Sequence, residues 1–181
     1  ILGFGVSPTS IGVSNNFRYK NFNMSVLVEG KYGGQMYSGT NALSKYFGAH
    51  KATIDADGRE NGFTVSGVDA SGAAFTTAIA PDRIEDYWRR TYEIAEESIY
   101  DVNYLRLRQM SIGYNIPRKI LENTFIKTAS VSVIGRNLFF FSNSVENVDP
   151  ESGYNVSNSQ GLEWFGMPIP RTVGVNVNLK F

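Results

Sequence analysis

The last ten residues of the chain, TVGVNVNLKF, alternate apolar and polar side chains without a break. The apolar positions are Val173, Val175, Val177, Leu179 and Phe181, and small or polar residues lie between them. Because successive side chains of a β-strand point to opposite faces, the pattern predicts a strand with one dry face and one wet face. That dry face can lie against a protein core or against a lipid bilayer, and this strand alone does not distinguish the two.

Four further segments carry weaker alternation, so we expect an all-β chain with about five strands. The predicted strands cover residues 12–20, 22–29, a stretch within 104–116, about 127–141, and 171–181. Only Lys20 and Asn21 separate the first two strands, which predicts a tight hairpin. In the third strand, Leu105 and Leu107 are out of phase with the later apolar row, which includes Met110. One extra residue flips every later side chain, so a bulge is predicted near Arg108.

The connections between the predicted strands alternate in length. Residues 33–103 and 142–169 form long connections, whereas PRKILENTF, residues 117–125, forms a short one that is predicted to contain a helical turn begun by Pro117. Within the first long connection, the sequence predicts a short helix from Thr40, a small hairpin turning at residues 69–72, and a helix within 81–98. Tight turns at one end and large loops at the other are typical of outer-membrane β-barrels.

Composition excludes several classes of protein. The formal net charge is zero, which argues against a nucleic-acid partner because no basic excess is available to neutralise phosphates. The chain has no cysteine, so it has neither a disulfide scaffold nor a thiolate metal site. No apolar run is long enough for a transmembrane helix. The first residues do not resemble a signal peptide, and we expect a mature segment or a fragment of something longer.

Five strands cannot close a membrane barrel, because bacterial single-chain barrels have an even number of strands and at least about eight of them. An open sheet edge cannot face lipid either, since its backbone groups would lack hydrogen-bond partners. If the dry face meets lipid, more polypeptide must complete the barrel. Two alternatives remain: a soluble all-β binding or adhesion domain with Val173 to Phe181 packed inward, and a barrel shared among subunits.

Five blocks of the sequence, in order, resemble the SusC/RagA-type TonB-dependent transporters. They are NNFRYKNFNMSVLVEGKYGGQMYS, YDVNYLRLRQMSIGYNIPRKIL, ASVSVIGRNLFFFS, VDPESGYN and MPIPRTVGVNVNLKF. The third contains the asparagine–leucine–phenylalanine run at Asn137, Leu138 and Phe139, and the fourth contains the aspartate–proline–glutamate loop that begins at Asp149. The resemblance implies that residues 1–181 are the carboxyl-terminal segment of a large antiparallel transmembrane barrel, which has 22 strands in that family.

The resemblance also implies a location, an activity and partners. The barrel would be an integral, multi-pass protein of a bacterial outer membrane that imports oligosaccharides or oligopeptides. A SusD-like surface lipoprotein would cover its external mouth, and TonB would supply energy through a plug domain that is not in this sequence. No Ser–His–Asp set, framed carboxylate pair or phosphate-binding loop is present, so we expect no enzymatic activity.

Several loop residues are candidates for contact with cargo or with the lipoprotein lid, because aromatic rings offer contact area with few rotatable bonds. These are Trp88, Asp149, Glu151, Tyr154, Trp164 and Phe165. The alternative is that they pack the loops themselves. Asp149, Glu151 and Asn155 carry oxygen atoms that calcium prefers, but their spacing matches no calcium loop, so no cofactor is expected.

The strands supply a second group of candidates. By resemblance, the terminal row of Val173, Val175, Val177, Leu179 and Phe181 is the signal read by the barrel-assembly machinery. Aromatic residues near strand ends are expected to form girdles at the membrane interfaces; they are Tyr19, Tyr32, Tyr104, Tyr114, Phe139 and Phe141. Polar positions that alternate with the apolar rows are expected to face the lumen; they are Asn16, Arg18, Ser111, Asn115, Asn176 and Asn178.

Overall fold

A computed structural model describes residues 3–54, 58–153 and 160–181. The chain divides into two compact units. The first unit contains Ile1–Gln35, Asp101–Ser152 and Met167–Phe181. The second unit contains Met36–Tyr100 and Gly153–Gly166.

The strands follow one another in chain order as β1 Thr9–Tyr19, β2 Phe22–Ser38, β3 Phe63–Val68, β4 Ala74–Ile79, β5 Ile99–Asn115, β6 Thr128–Asn143, β7 Leu162–Glu163 and β8 Thr172–Lys180. The α-helices are α1 Gly39–Tyr46, α2 Gly58–Asn61, α3 Ile84–Thr91 and α4 Arg118–Leu121, with 3-10 turns at Lys51–Thr53, Pro81–Arg83 and Ala95–Ser98. None of the helices within the described ranges is long and apolar enough to cross a membrane.

The main sheet is a meander with the order β1-β2-β5-β6-β8. β1 pairs antiparallel with β2, β5 with β6, and β6 with β8. Between β2 and β5, the Ser25 and Ser111 hydroxyls lie 2.7 Å apart and Asn115 N donates to Asn21 O at 2.8 Å. The Lys20 turn and α4 therefore connect strands at one end, and the long connections leave from the other, so the predicted alternation of connection lengths is confirmed.

The predicted hairpin between β1 and β2 is also confirmed. Tyr19 pairs with Phe22, which leaves Lys20 and Asn21 as a two-residue turn. Lys20 has φ 52°, in the left-handed region. Two-residue hairpin turns need positive φ because only such turns match the twist of the strands they join.

The predicted bulge near Arg108 is confirmed by the pairing of β5 with β6. The register shifts between Leu105 and Arg106 and again between Leu107 and Gln109. Leu105 lies against Gly30 of β2, whereas Arg108 hydrogen-bonds to Glu29, which points to the opposite face. The irregularity therefore lets Leu105 and the later row that includes Met110 share the apolar side although they are out of phase in the sequence.

The long strands extend further than the sequence predicted. β2 continues to Ser38 and β5 begins at Ile99, so the first long connection is 39–98 rather than 33–103. The second is 144–171 rather than 142–169 and contains the short strand β7. The extension of β2, KYGGQMYS, includes two glycines and little apolar alternation, so its pattern does not reveal a strand. Pairing of its end with β7 at Tyr37 and Ser38 holds that extension in place.

The second unit contains the helices and the hairpin predicted within the first long connection. α1 begins after Ser38, whose hydroxyl accepts a hydrogen bond from Asn41 N at 3.1 Å, as an N-cap does. β3 and β4 pair antiparallel, and Asp69 Oδ1 accepts from the N–H groups of Ser71 and Ala73 in the turn between them. The helical turn predicted at Pro117 is present as α4, with Pro117 as its N-cap.

The apolar face of the main sheet is exposed. Val173 and Val175 of β8 are 70% and 68% exposed, and the rows that continue across β6 and β5 include exposed Val133 and Ile112. A soluble domain with Val173 to Phe181 packed inward would bury this row, so the fold does not match that alternative. In water, exposure of a contiguous apolar face is unfavourable, and it indicates a surface that meets another apolar phase.

Candidate functional site

A charged cluster lies in the first unit, on the polar side of the strands beside the bulge. It consists of Glu29, Lys31, Arg106, Arg108, Asp149 and Glu151, which are three acidic and three basic side chains. The bulge aims both arginines to this side, and the segment after β6 folds back to meet them. Asp149 shapes that segment, because its Oδ1 accepts from Glu151 N at 2.9 Å and its carbonyl accepts from Ser152 N at 2.9 Å.

Arg106 is the most deeply buried member of the charged cluster. Its side chain is 3% exposed, Nη1 donates to Glu151 Oε2 at 2.6 Å, and Nη2 donates to Asp149 Oδ2 at 2.5 Å. Its guanidinium carbon lies 3.9 Å from the centre of the Phe140 ring, within cation–π range. One guanidinium therefore ties both carboxylates of the segment to the strand and packs on a neighbouring ring.

Glu151 is the acceptor that joins the two arginines. Arg108 Nη2 lies 2.7 Å from Glu151 Oε1, and the Tyr104 hydroxyl donates to the same oxygen at 2.8 Å. Burial raises the pKa of the Glu151 carboxyl, but hydrogen bonds from Arg108 and Tyr104 and the charges of Arg108 and Arg106 lower it by more, so the pKa lies below its usual value. The carboxylate is thus ionised at neutral pH and holds the segment to the strands.

These contacts give structural roles to Asp149 and Glu151, two residues that were predicted to contact cargo or the lid. The carboxylates of Asp149 and Glu151 are engaged by arginines of the same unit, and their contact with cargo or lid stays a prediction. Within residues 3–54, 58–153 and 160–181, no group of three or more His, Cys, Asp or Glu side chains is arranged to hold a metal ion. Tyr154 and Asn155 lie outside the described residues. Tyr104 is fully buried, so its predicted girdle position is wrong, because its hydroxyl binds Glu151 instead of lipid headgroups.

An aromatic turn in the second unit, Leu162–Phe165, is held by a buried glutamate. Glu163 is fully buried; its two carboxylate oxygens accept from the Ser38 and Thr40 hydroxyls, both at 2.6 Å, and from Gly166 N at 3.0 Å. Among the described residues, no basic side chain pairs with it. A buried carboxylate is tolerated only when its oxygens are hydrogen-bonded; here two donors lie where β2 meets α1 and the third directly follows the turn.

The two rings of the aromatic turn are fixed in exposed positions. A Cβ added at Gly39 would lie 1.9 Å from Cε3 of Trp164, so the indole rests directly on the backbone where α1 begins. Phe165 has φ 51°, a left-handed conformation that costs an L-residue about 1–2 kcal/mol, yet the residue is 63% exposed. The Trp164 and Phe165 rings are nearly perpendicular, with centres 6.2 Å apart.

Trp88, the third predicted loop aromatic, belongs to a different surface of the second unit. It lines a cleft of about 330 Å³ together with Tyr46, Phe47, Arg59 and Arg89. Its ring also packs at 5.1 Å from that of Tyr87. This half-buried position matches the alternative in which the residue packs its own loop, and contact with a ligand stays a prediction.

The carboxyl terminus is held by the short connection between β5 and β6. The Phe181 ring stacks on that of Phe125, with centres 5.5 Å apart, and Lys127 Nζ donates to Phe181 O at 3.1 Å. Lys127 N also donates to Lys180 O at 2.7 Å. Both phenylalanines are exposed, and the role of the terminal row as an assembly signal stays a prediction.

Sequence reasoning did not identify Arg106, Glu163 or Thr40 as site residues. The arginine carries a usable signal, because two arginines that alternate with leucines lie on one face of a strand and require partners there. Glu163 and Thr40 carry none, since their contact joins residues that are 123 positions apart. Only the three-dimensional pairing of β2 with β7 brings them together.

Comparisons with known proteins agree with the resemblance found in the sequence. No protein-family model matches the chain. The TonB-dependent receptor P3 of Formosa agariphila is 30% identical over 100% of the chain, which covers 17% of that receptor. The TonB-dependent receptor P26 of the same organism is 24% identical over 100% of the chain, which covers 18% of it. The chain thus spans less than a fifth of the length of these curated relatives.

Two solved structures share the fold. A structure of the RagAB peptide transporter aligns with 95% of the chain and 16% of the matched chain at a TM-score of 0.59 and 15% identity. A structure of the RagAB peptide importer in the closed-closed state aligns with 98% of the chain and 18% of the matched chain, at a TM-score of 0.66 and 15% identity. Together with the curated relatives, these matches confirm the resemblance to SusC/RagA-type TonB-dependent transporters.

Proposed function

We propose that this chain is the carboxyl-terminal segment of the transmembrane β-barrel of a SusC/RagA-type TonB-dependent transporter in a bacterial outer membrane. The rest of the barrel, 22-stranded by resemblance, and the plug domain belong to polypeptide outside this sequence. The observation that carries the proposal is the exposed apolar face of the five-stranded sheet. Its rows cross the strands in register, as in Tyr114–Val131–Val177 and Ile112–Val133–Val175.

The height of this face fits a bilayer. Val131, the partner of Tyr114, and the exposed Phe141 are ten residues apart on β6. At about 3.3 Å per residue the strand path between them is roughly 33 Å, and a strand tilt of about 40° reduces the vertical distance to roughly 25 Å. The apolar band of outer-membrane barrels is about 25 Å tall and has aromatic residues at both edges. Tyr114 and Phe22 supply one edge, with ring centres 4.8 Å apart.

The opposite face is suited to an aqueous lumen. Ser132 pairs with Asn176 and Ser130 with Asn178 across β6 and β8, and Asn16 lies opposite Ser25 across β1 and β2. The charged cluster lies on this face and holds the start of the connection between β6 and β8 against the wall. Polar side chains on one face and apolar ones on the other are the arrangement that separates water from lipid.

By resemblance, the whole protein imports oligosaccharides or oligopeptides with a SusD-like surface lipoprotein as its partner and TonB as its energy source. The RagAB structures, which share the fold, are described as a peptide transporter and a peptide importer, and this supports an oligopeptide cargo. The connections 39–98 and 144–171 would be external and would frame the entry. The chain supplies walls and loops, and the proposed activity is transport, without a catalytic step.

The absence of cysteine makes a direct test practical. Single cysteines are placed along β8 in the full-length protein, at Val173, Val175 and Val177 on one face and at Gly174, Asn176 and Asn178 on the other. Each is labelled with a fluorophore in lipid vesicles that contain a spin-labelled lipid quencher. We expect strong quenching at the odd positions and weak quenching at the even positions, because only the odd positions would face acyl chains.

Native cysteines elsewhere in the full-length protein are first replaced, and retained transport confirms that the replaced background is folded. Equal quenching on the two faces would contradict the proposal, as would recovery of the full-length protein in buffer without detergent as a cooperative, monomeric species. Quenching with the opposite phase would show that the lipid and lumen faces have been assigned the wrong way round.

A further inference from the structure

The aromatic turn, although exposed, is held in one conformation by several specific contacts. Glu163 holds the turn in place through three hydrogen bonds, and the Trp164 ring packs directly on the backbone of Gly39. Phe165 is kept in a strained backbone conformation while its side chain remains in solvent. Strained residues persist only where the surrounding structure enforces them, and they concentrate at recognition sites. Rings that are already immobilised lose little conformational freedom when a ligand arrives.

The polar groups around the turn indicate which ligand would fit. The Thr40 hydroxyl donates to Glu163 Oε1 and accepts from Phe165 N, and the Ser38 hydroxyl donates to Glu163 Oε2 and accepts from Asn41 N. These hydroxyls and the carboxylate are therefore already engaged. Leu162 and Phe165 have no polar side-chain atoms, and Trp164 offers a single donor, its indole N–H.

A sugar platform needs more than rings, because every hydroxyl of a bound sugar that loses water must find a partner. This turn offers three apolar residues that are 44%, 43% and 63% exposed, Leu162, Trp164 and Phe165, and its side chains have very little hydrogen-bonding capacity. Apolar side chains of a peptide make no such demand, and their burial against Trp and Phe is favourable. The inventory of polar groups thus favours a peptide over a glycan.

We propose that Leu162, Trp164 and Phe165 form a preorganised platform that binds apolar side chains of a peptide cargo. This inference rests on the proposed import function and narrows its substrate class. Glu163, Thr40 and Gly39 are positioning residues, since they hold the platform without contacting the ligand. The platform lies wholly within the second unit, in the connections that the proposed function places outside the membrane.

The test measures equilibrium binding to the purified full-length transporter. The probes are a peptide of alternating leucine and serine, its all-serine analogue, and neutral maltoheptaose. We expect the wild type to prefer the leucine peptide, and Trp164→Ala to weaken its affinity at least tenfold, as loss of a central anchor does, while binding of the serine analogue changes less than twofold. Gly39→Ala should act in the same direction, because the added Cβ displaces the indole.

Three further variants separate recognition from stability. Phe165→Gly removes the ring together with its left-handed strain, so we expect thermal stability to be kept or raised while affinity for the leucine peptide falls severalfold. Phe47→Ala removes another highly exposed ring of the same unit and should leave affinity unchanged. Gly12→Ala, where a Cβ meets open space, is the matched control for Gly39→Ala.

Each other outcome overturns the inference. Loss of maltoheptaose binding in Trp164→Ala with unchanged peptide binding would identify a glycan platform. Unchanged affinities with loss of a co-purifying lipoprotein would identify a protein interface. No preference of the wild type for the leucine peptide would leave the platform without its ligand. Binding is measured separately from uptake. If the Trp164→Ala variant imports cargo normally, the platform is refuted but the proposed function is not.

Discussion

Replacing Arg106 by methionine tests whether the charged cluster holds the connection that follows β6. Methionine keeps an unbranched apolar stem against Phe140 but removes the guanidinium that contacts Asp149 and Glu151. Glu151 retains Arg108 and the Tyr104 hydroxyl, so most of the loss falls on Asp149. The Asp149 side chain is 6% exposed, and its charge would then keep the hydrogen bond from the Glu151 backbone N–H without a cationic partner.

Removing one partner of a buried ion pair costs about 3–5 kcal/mol, because the other charge stays desolvated without compensation. The surviving contacts of Glu151 place the expected value near the lower limit, about 3 kcal/mol. At about 1.4 kcal/mol for each factor of ten, the open population of residues 144–152 should rise roughly 100-fold. The double variant Arg106→Met with Asp149→Leu removes both charges, and replacement of a buried pair by apolar side chains is often neutral.

Hydrogen–deuterium exchange of the full-length protein, followed by mass spectrometry of peptides that cover residues 144–152, measures this opening. We expect amides of that segment to exchange about 100-fold faster in Arg106→Met and within about tenfold of wild type in the double variant. Arg89→Met, which breaks an exposed helical pair with Glu85, is the control and should change exchange by no more than about twofold. An unchanged single variant, or a double variant as open as the single one, would refute the reasoning.

Three further outcomes are expected. The pKa of Glu151 is lowered in the folded state, so this carboxylate stabilises the docking of residues 144–152 fully above its ordinary pKa, and the stabilisation is lost as pH falls through the lowered value. After correction for the intrinsic pH dependence of amide exchange, the segment should therefore open in acid. Glu151→Gln should make this opening less dependent on pH. Gly62→Ala should destabilise the β3–β4 hairpin by more than about 1 kcal/mol, since φ is 72° and a Cβ would lie 2.3 Å from Ile79 O. The control is Gly72→Ala, which adds a methyl group at positive φ in open space, and the hairpin amides should exchange faster in Gly62→Ala than in this control. Lys20→Asn should slow exchange across the β1–β2 hairpin and stabilise it by up to about 1 kcal/mol, because asparagine tolerates the left-handed turn position; faster exchange would contradict the turn geometry.

Local patterns in the sequence predicted much of the main sheet. Alternation of apolar and polar residues located its strands, and the phase change after Leu107 predicted the bulge, because a strand with period two cannot otherwise keep one face apolar. The two-residue turn at Lys20 predicted the β1–β2 hairpin. These features depend on neighbours a few positions apart, which is the range over which such patterns operate.

The side-chain clusters could not be predicted in the same way. Arg106 meets Glu151 across 45 positions, and Ser38 meets Glu163 across 125. Nothing local to Glu163 indicates that it is fully buried, since glutamate between exposed residues ordinarily faces water. The continuation of β2 to Ser38 was missed for a related reason, because a partner distant in sequence, β7, stabilises a segment with two glycines and weak alternation.

The register shift near Arg108 has a consequence for how the sequence of β5 can vary. Leu105 and Leu107 precede the shift, and Met110 and Ile112 follow it on the same side of the sheet. Deleting Arg108 would bring Leu107 and Met110 two positions apart, so both apolar rows would stay on one side of a regular strand, and the cost would be the loss of the ion pairs from Arg108 to Glu29 and Glu151. A single-residue insertion or deletion elsewhere in β5 should instead turn one of the two apolar rows towards the lumen, whereas the long connections should tolerate such changes.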